Sequence, residues 1–177
     1  MRKINLFIML FVVVLSGSTF AESSLSVNLG MDFFNYREIF LDTGITYNFD
    51  LTEGMEGNIG ADFAIWPEGP AEAKVASLFI PVNLGLNFTF AKQVPTFLVG
   101  VGLTPIFKVK GGDSLGFYLG PYLKGGLRLK VHQVMSWIVE VQQDLSFGGP
   151  EIINTTTRVT TGINFSLAPV KKAGSKD

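Results

Sequence analysis

The 177-residue sequence predicts an all-β fold, an eight-stranded antiparallel up-and-down transmembrane β-barrel preceded by a cleavable signal peptide. Three observations predict it. Apolar residues recur at every second position in eight successive runs, turn-forming residues separate the runs, and no stretch after the first twenty residues is long and apolar enough for a membrane helix.

Each run places its apolar residues on one side of a strand, because successive side chains point to opposite faces. The first carries Leu25, Val27, Leu29, Met31 and Phe33, the second Ile39, Leu41, Ile45, Tyr47 and Phe49, and the third Ile59, Ala61, Phe63 and Ile65. The fourth shifts to even numbers, with Leu78, Ile80, Val82, Leu84, Leu86, Phe88 and Phe90. The fifth has Phe97, Val99, Val101, Leu103, Phe107 and Val109, and the sixth Leu115, Phe117, Leu119, Leu123, Leu127, Leu129 and Val131. Trp137, Val139, Val141, Leu145 and Phe147 form the seventh, and Val159, Ile163, Phe165 and Leu167 the eighth. Connections are expected at 35–38, 66–73, 111–114 and from Gly148 onward, alternating with 50–54, 91–95 and 132–136. Pro81, Pro105 and Pro121 fall inside runs, where each removes a ladder donor, so bulges or bends are expected beside them.

The chain divides into a signal peptide (1–21), a barrel (22–167) and a flexible Lys-rich tail (168–177). Arg2 and Lys3 supply the positive start, Ile4 to Leu15 the apolar segment, and Ser16 to Ala21 the small residues before cleavage. The apolar segment falls short of the roughly 18 residues that a spanning helix needs. Its removal leaves the net charge at −3, from −1 for the whole chain. That balance implies no nucleic-acid or acidic-substrate partner. The absence of Cys excludes a disulfide scaffold, a thiolate metal site and lipid attachment through an N-terminal Cys.

Alternation alone fits a soluble barrel as well as a membrane one; three further features point to lipid. The apolar face carries no charge, and each Lys or Arg near the midplane there would cost about 2–4 kcal/mol. Aromatic residues gather at strand ends: Phe33, Phe34, Tyr36, Phe63, Trp66, Phe107, Phe117 and Tyr118 at one rim, and Tyr47, Phe49, Phe88, Phe90, Phe97 and Trp137 at the other. Such belts suit the two membrane interfaces. Phe79 is an exception, expected on the inner face. The polar face is rich in Gly, Ser and Asn, which suits a narrow lumen. An eight-stranded barrel is wide enough only for side chains to fill it, so its buried charges must be paired. Hairpins centred on Val134 and Glu151 would set Lys124 opposite Asp144, Arg128 opposite Glu140 and Asp144 opposite Arg158. A Lys124–Asp144–Arg158 layer above an Arg128–Glu140 pair is therefore expected. Asp32, Asp42, Glu56 and Asp62 lie on the first three strands, across from the sixth.

The stretch from Phe79 to Phe90 (FIPVNLGLNFTF) and the following Pro95 to Gly102 (PTFLVGVG) resemble the strand–turn–strand signature of small outer-membrane barrels of the OmpX, OmpW and opacity-protein type. Leu119 to Gly126 (LGPYLKGG) looks like a second version of the glycine strand. The resemblance covers residues 23–167 and implies a cell outer-membrane location, outer-membrane lipid as solvent and the barrel-insertion machinery as a partner in biogenesis. Members of that superfamily usually end on an aromatic residue; here Phe165 and Leu167 take that position with a tail beyond. The short outward loops weigh against the long-looped adhesins.

These features favour a non-enzymatic outer-membrane barrel with a structural or surface-interaction role and a mostly filled polar lumen. The alternative is a narrow OmpW-like channel for small or hydrophobic solutes; surface ligands remain open as partners. A lipid-modifying enzyme would need a nucleophile oriented by a base. His132, the only His, falls in a turn, and neither Ser136 nor Ser146 makes a convincing pair with it. No phosphate loop, metal-ligand cluster or cofactor motif is placed for chemistry, so neither a cofactor nor a metal is expected. Gly100 and Gly102 lie inside a strand and read as lumen fit.

Overall fold

The computed structural model describes residues 23–66, 77–90, 95–110, 114–149 and 151–167. The expected signal peptide and C-terminal tail lie outside them, as do most of the 66–73 connection, residues 91–94 and 111–113, and Pro150.

Eight strands close into a barrel in chain order: β1 (Ser23–Phe34), β2 (Glu38–Thr52), β3 (Met55–Ile65), β4 (Ser77–Phe90), β5 (Thr96–Lys110), β6 (Ser114–His132), β7 (Met135–Gly148) and β8 (Ile153–Ser166). Every neighbouring pair is antiparallel, and β1 pairs β8 from Ser24↔Ser166 to Phe34↔Thr156. Closure leaves no unpaired sheet edge, which a wall in lipid requires. Both ends of the described chain meet at one end of the barrel, where Leu167 N donates to Ser23 O at 2.7 Å. We call this the termini end and the opposite one the loop end.

The alternation resolves as expected. Odd-numbered apolar residues of β1–β3 and β5–β8, and even-numbered ones of β4, face outward, as Leu29, Ile45, Phe63, Leu84, Val101, Leu123 and Leu145 illustrate. Their partners across the strand face a dense interior. Outward Phe49 lies over its cross-strand neighbour Gly57, where a Cβ would collide with the ring. A large ring thus fills the gap a wall glycine leaves.

Two register shifts occur, and neither is at a proline. Both lie at termini-end hairpins, between Asp50 and Thr52 and between Lys130 and His132. The hairpins are tighter than expected, with only Glu53–Gly54 and Gln133–Val134 between strands. Gly54 has φ 79°, a left-handed conformation that glycine adopts without steric cost. At the prolines the register is unchanged. Ladder pairs drop out beside Pro81, where Asp62 and Phe63 lack partners on β4, and beside Pro121, where Gly120 and Pro121 lack partners on β7. The missing donor opens the ladder locally instead of inserting a residue.

The β1–β2 turn covers residues 35–37, with Asn35 and Tyr36 at φ 49° and 54°. Asn35 is fixed there by two bonds with Thr155: its N donates to Thr155 O at 2.7 Å, and its Oδ1 accepts from Thr155 N at 2.8 Å. Tyr36 folds back along the outer wall, its hydroxyl 2.9 Å from Thr157 Oγ1.

Candidate functional site

Three tiers fill the lumen. Nearest the loop end is an apolar tier of Phe34, Phe40, Ala64, Phe79, Ile106 and Tyr118, all buried, with Trp66 packed against it. Phe40 stacks on Phe79 at 5.0 Å between ring centroids, and Phe34 meets Phe79 edge-on at 5.4 Å. Phe79 is inside, as its parity requires. Phe34, Tyr118 and Trp66, expected in the outer aromatic belt, point inward instead. Phe34 and Tyr118 sit on the even-numbered face that their strands turn to the lumen, and Trp66, one residue past β3, continues that parity; a place near a strand end does not outweigh parity. Tyr47, Phe49, Phe88, Phe90, Phe97, Phe117 and Trp137 do face outward, and Trp137 donates to Thr161 Oγ1 at 2.8 Å. Tyr36 lies beyond its strand end, 70% exposed against the wall.

The middle tier is built on Arg158 of β8. Its guanidinium meets Asp32 of β1 at 3.1 Å, Asp62 of β3 at 2.9 Å and Asp144 of β7 at 3.6 Å. Asn83 ties this tier together: its amide donates to Asp62 at 2.7 Å, and its oxygen accepts from Arg158 and Gln142, each at 3.1 Å. Thr104 and Gln142 donate to Asp144, at 2.8 and 2.9 Å. Asp42 is buried beside Asp32 and forms no ion pair among the described residues. Below, Tyr122 donates to Asn58 at 3.1 Å. The tyrosine ring fits because Gly102 leaves room, a Cβ there standing 2.6 Å from Tyr122 Cε1. Toward the termini end, Arg128 of β6 grips Glu56 of β3 with two bonds of 2.8 and 3.0 Å.

The expected ion pairs are only partly assembled this way. All five residues face inward, but β6 and β7 pair two residues out from the predicted register: Asp144 lies opposite Tyr122, Lys124 opposite Gln142, and Glu140 opposite Gly126. Asp144 likewise pairs with Thr156 on β8, and Arg158 with Gln142. The cause on β6–β7 is the two-residue turn and its register shift, where the prediction had centred the hairpin on Val134. Lys124 therefore reaches Glu140 at 3.4 Å instead of Asp144, and Arg128 crosses the lumen to Glu56. Arg158 and Asp144 still meet diagonally.

At the loop end a cavity of about 450 Å³ opens above the aromatic tier. Lys108 of β5 pairs with Glu38 of β2, three strands away, and its ammonium sits 4.3 Å from the Phe34 ring centroid. Arg37 pairs with Glu151 at 3.2 Å, and Asn35 also donates to Glu151, at 3.0 Å. Sequence reading had missed Lys108, Glu38, Arg37 and Glu151, because cross-lumen partners leave no spacing signal along the chain. A void of about 20 Å³ lies in the middle tier. His132 is exposed at the termini end, whereas Ser146 is buried toward the loop end of β7; among the described residues no hydrogen bond joins His132 to either serine. No described group of His, Asp or Glu converges as a metal site.

The closed eight-stranded wall matches solved structures. Neisserial surface protein A aligns with a TM-score of 0.67 and 8% identity, over 81% of this chain and 95% of that one. Ail, the attachment invasion locus protein of Yersinia pestis, aligns with a TM-score of 0.58 and 9% identity, over 83% and 99%. The outer membrane enzyme PagL aligns with a TM-score of 0.56 and 13% identity, over 78% and 97%. This chain has the outer-membrane β-barrel fold. No protein-family model and no curated protein matches it by sequence. The uncharged apolar wall and that fold together make the barrel an integral outer-membrane protein.

Proposed function

We propose that the barrel is a closed, non-enzymatic outer-membrane protein with a structural or surface-interaction role. The observation that carries this is the filled lumen. A void of about 20 Å³ in the middle tier has room for about one water, since a site needs roughly 10–15 Å³ of such volume to hold one. Above it, the aromatic tier closes the lumen beneath the mouth cavity. Reconstituted in planar bilayers, the protein should give no steady conductance. Stable open steps that carry sugars or ions would overturn the reading.

The mouth cavity favours a second reading, a narrow uptake route for small hydrophobic solutes. Vesicles holding the barrel would then take up such a solute faster than empty vesicles; the closed reading expects equal rates. PagL shows that this fold accommodates an enzyme. A non-enzymatic role for this chain is supported by His132, which among the described residues makes no hydrogen bond to Ser136 or Ser146 that would orient a nucleophile. Incubation with outer-membrane lipid should release no fatty acid. Outward Phe165 near the end of β8 fits recognition of the last strand by the insertion machinery.

A further inference from the structure

We infer that the mouth cavity is a binding site for a neutral saccharide unit. The inference rests on the loop end being the barrel's surface-interaction face, and it adds the ligand class. The cavity's volume of about 450 Å³ falls in the roughly 300–1,000 Å³ range of small-molecule sites.

Charge decides against an ionic ligand. Among the described residues two ion pairs line the cavity, Lys108–Glu38 and Arg37–Glu151, and each is neutral as a unit. An anion would compete for a cation and a cation for a carboxylate. At the buried Lys108–Glu38 pair, either exchange leaves one charge uncompensated, which costs more than a hydrogen bond returns. The groups with spare capacity are of mixed type. No described residue bonds the Tyr118 hydroxyl, which can donate or accept. The Lys108 ammonium carries three donors and has Glu38 as its acceptor among the described residues; a carboxylate has further lone pairs to offer. Hydroxyl groups both donate and accept, so a polyol adds bonds to all three without breaking either pair.

Shape agrees. Tyr118, in edge contact with Phe34 at 5.5 Å, gives the cavity an apolar floor against which the C–H face of a sugar ring can pack, while the Lys108 ammonium covers the Phe34 ring at 4.3 Å. Tyr118 has room beside Gly149, where a Cβ would stand 2.6 Å from its Cε1. An apolar floor with mixed donors and acceptors around it suits a sugar ring better than a purely apolar molecule, which would leave these polar groups unmet.

The test uses the barrel folded in lauryldimethylamine oxide micelles, whose headgroup is not a sugar. Methyl β-glucoside and N-acetylglucosamine are titrated while amide NMR shifts are followed, with lysine and sodium benzoate as charged probes. Saturating shifts at Gly116, Tyr118 and Gly149 are expected for at least one sugar and for neither charged probe. Tyr118→Phe, whose fold the same spectra verify, should weaken binding about fivefold through loss of one hydrogen bond. Failure of both sugars to saturate, saturation by a charged probe, or unchanged affinity in Y118F would each overturn the inference. Conductance of the same preparation tests the closed lumen separately, so failure of one reading is distinguishable from failure of the other.

Discussion

Arg158 is surrounded by more carboxyl groups than it can pair. Asp32, Asp62 and Asp144 all lie within 3.6 Å of its guanidinium, and Asp42 stands behind Asp32 without a cation of its own. Lys124, the next cation, is engaged by Glu140. Removing one partner of a buried ion pair typically costs about 3–5 kcal/mol, because the other charge stays buried and uncompensated. Arg158→Met should therefore lower unfolding free energy by about that amount, measured by urea titration in phospholipid vesicles. Asp42→Asn should act in the opposite direction. It keeps the side-chain shape and replaces a buried carboxyl group that no cation pairs by a neutral amide, so a gain of up to about 1 kcal/mol is expected. A loss of stability in D42N would show that Asp42 has a favourable partner.

At the scale of elements, cross-lumen pairs connect strands that share no hydrogen bonds. Arg128 on β6 holds Glu56 on β3, Lys108 on β5 holds Glu38 on β2, and Arg158 on β8 holds Asp62 on β3. Each pair fixes the cross-section of the barrel, which backbone ladders alone leave adjustable. A double-mutant cycle with Glu56→Gln and Arg128→Met should give a coupling energy of about 1–3 kcal/mol, as expected for a mostly buried two-bond pair. Additivity of the two variants would mean that the pair contributes only as two separate packing groups. The same geometry explains what the sequence made legible. Period two identified every strand and the inward face of Lys124, Arg128, Glu140, Asp144 and Arg158, because alternation is a local property. Neighbour-strand register needed the hairpin geometry: the two-residue β6–β7 turn and the unpaired residue beside it together moved the register by two, which set Lys124 opposite Gln142 and within reach of Glu140. Partners across the lumen depend on how the sheet tilts and closes, which no spacing in the chain encodes. Phe34, Trp66 and Tyr118 were misplaced because aromatic residues at strand ends fit two roles, an outer belt and an inner plug, and only their parity separates them.

For the whole molecule, the distance between the aromatic belts sets the depth at which it sits in lipid. On β5 the outward residues run from Phe97 to Phe107, both exposed, with Val99, Val101 and Leu103 between. Ten residues at about 3.3 Å each, tilted by about 40°, span roughly 25 Å of membrane normal, which matches the height of an outer-membrane apolar band. Val101 then lies near the midplane and Val109 beyond the belt at the loop end. Val101→Arg should cost about 2–4 kcal/mol of folding free energy in vesicles, and Val109→Arg about 0–1 kcal/mol. The difference isolates depth, because both side chains leave the same strand on the same face and neither touches the lumen tiers. Equal costs for the two substitutions, measured in one lipid, would mean that the band is not centred between Phe97 and Phe107. A larger cost for Val109→Arg would place the membrane nearer the loop end, and would draw the mouth cavity into the headgroup layer, where lipid would reach Tyr118 before a free sugar.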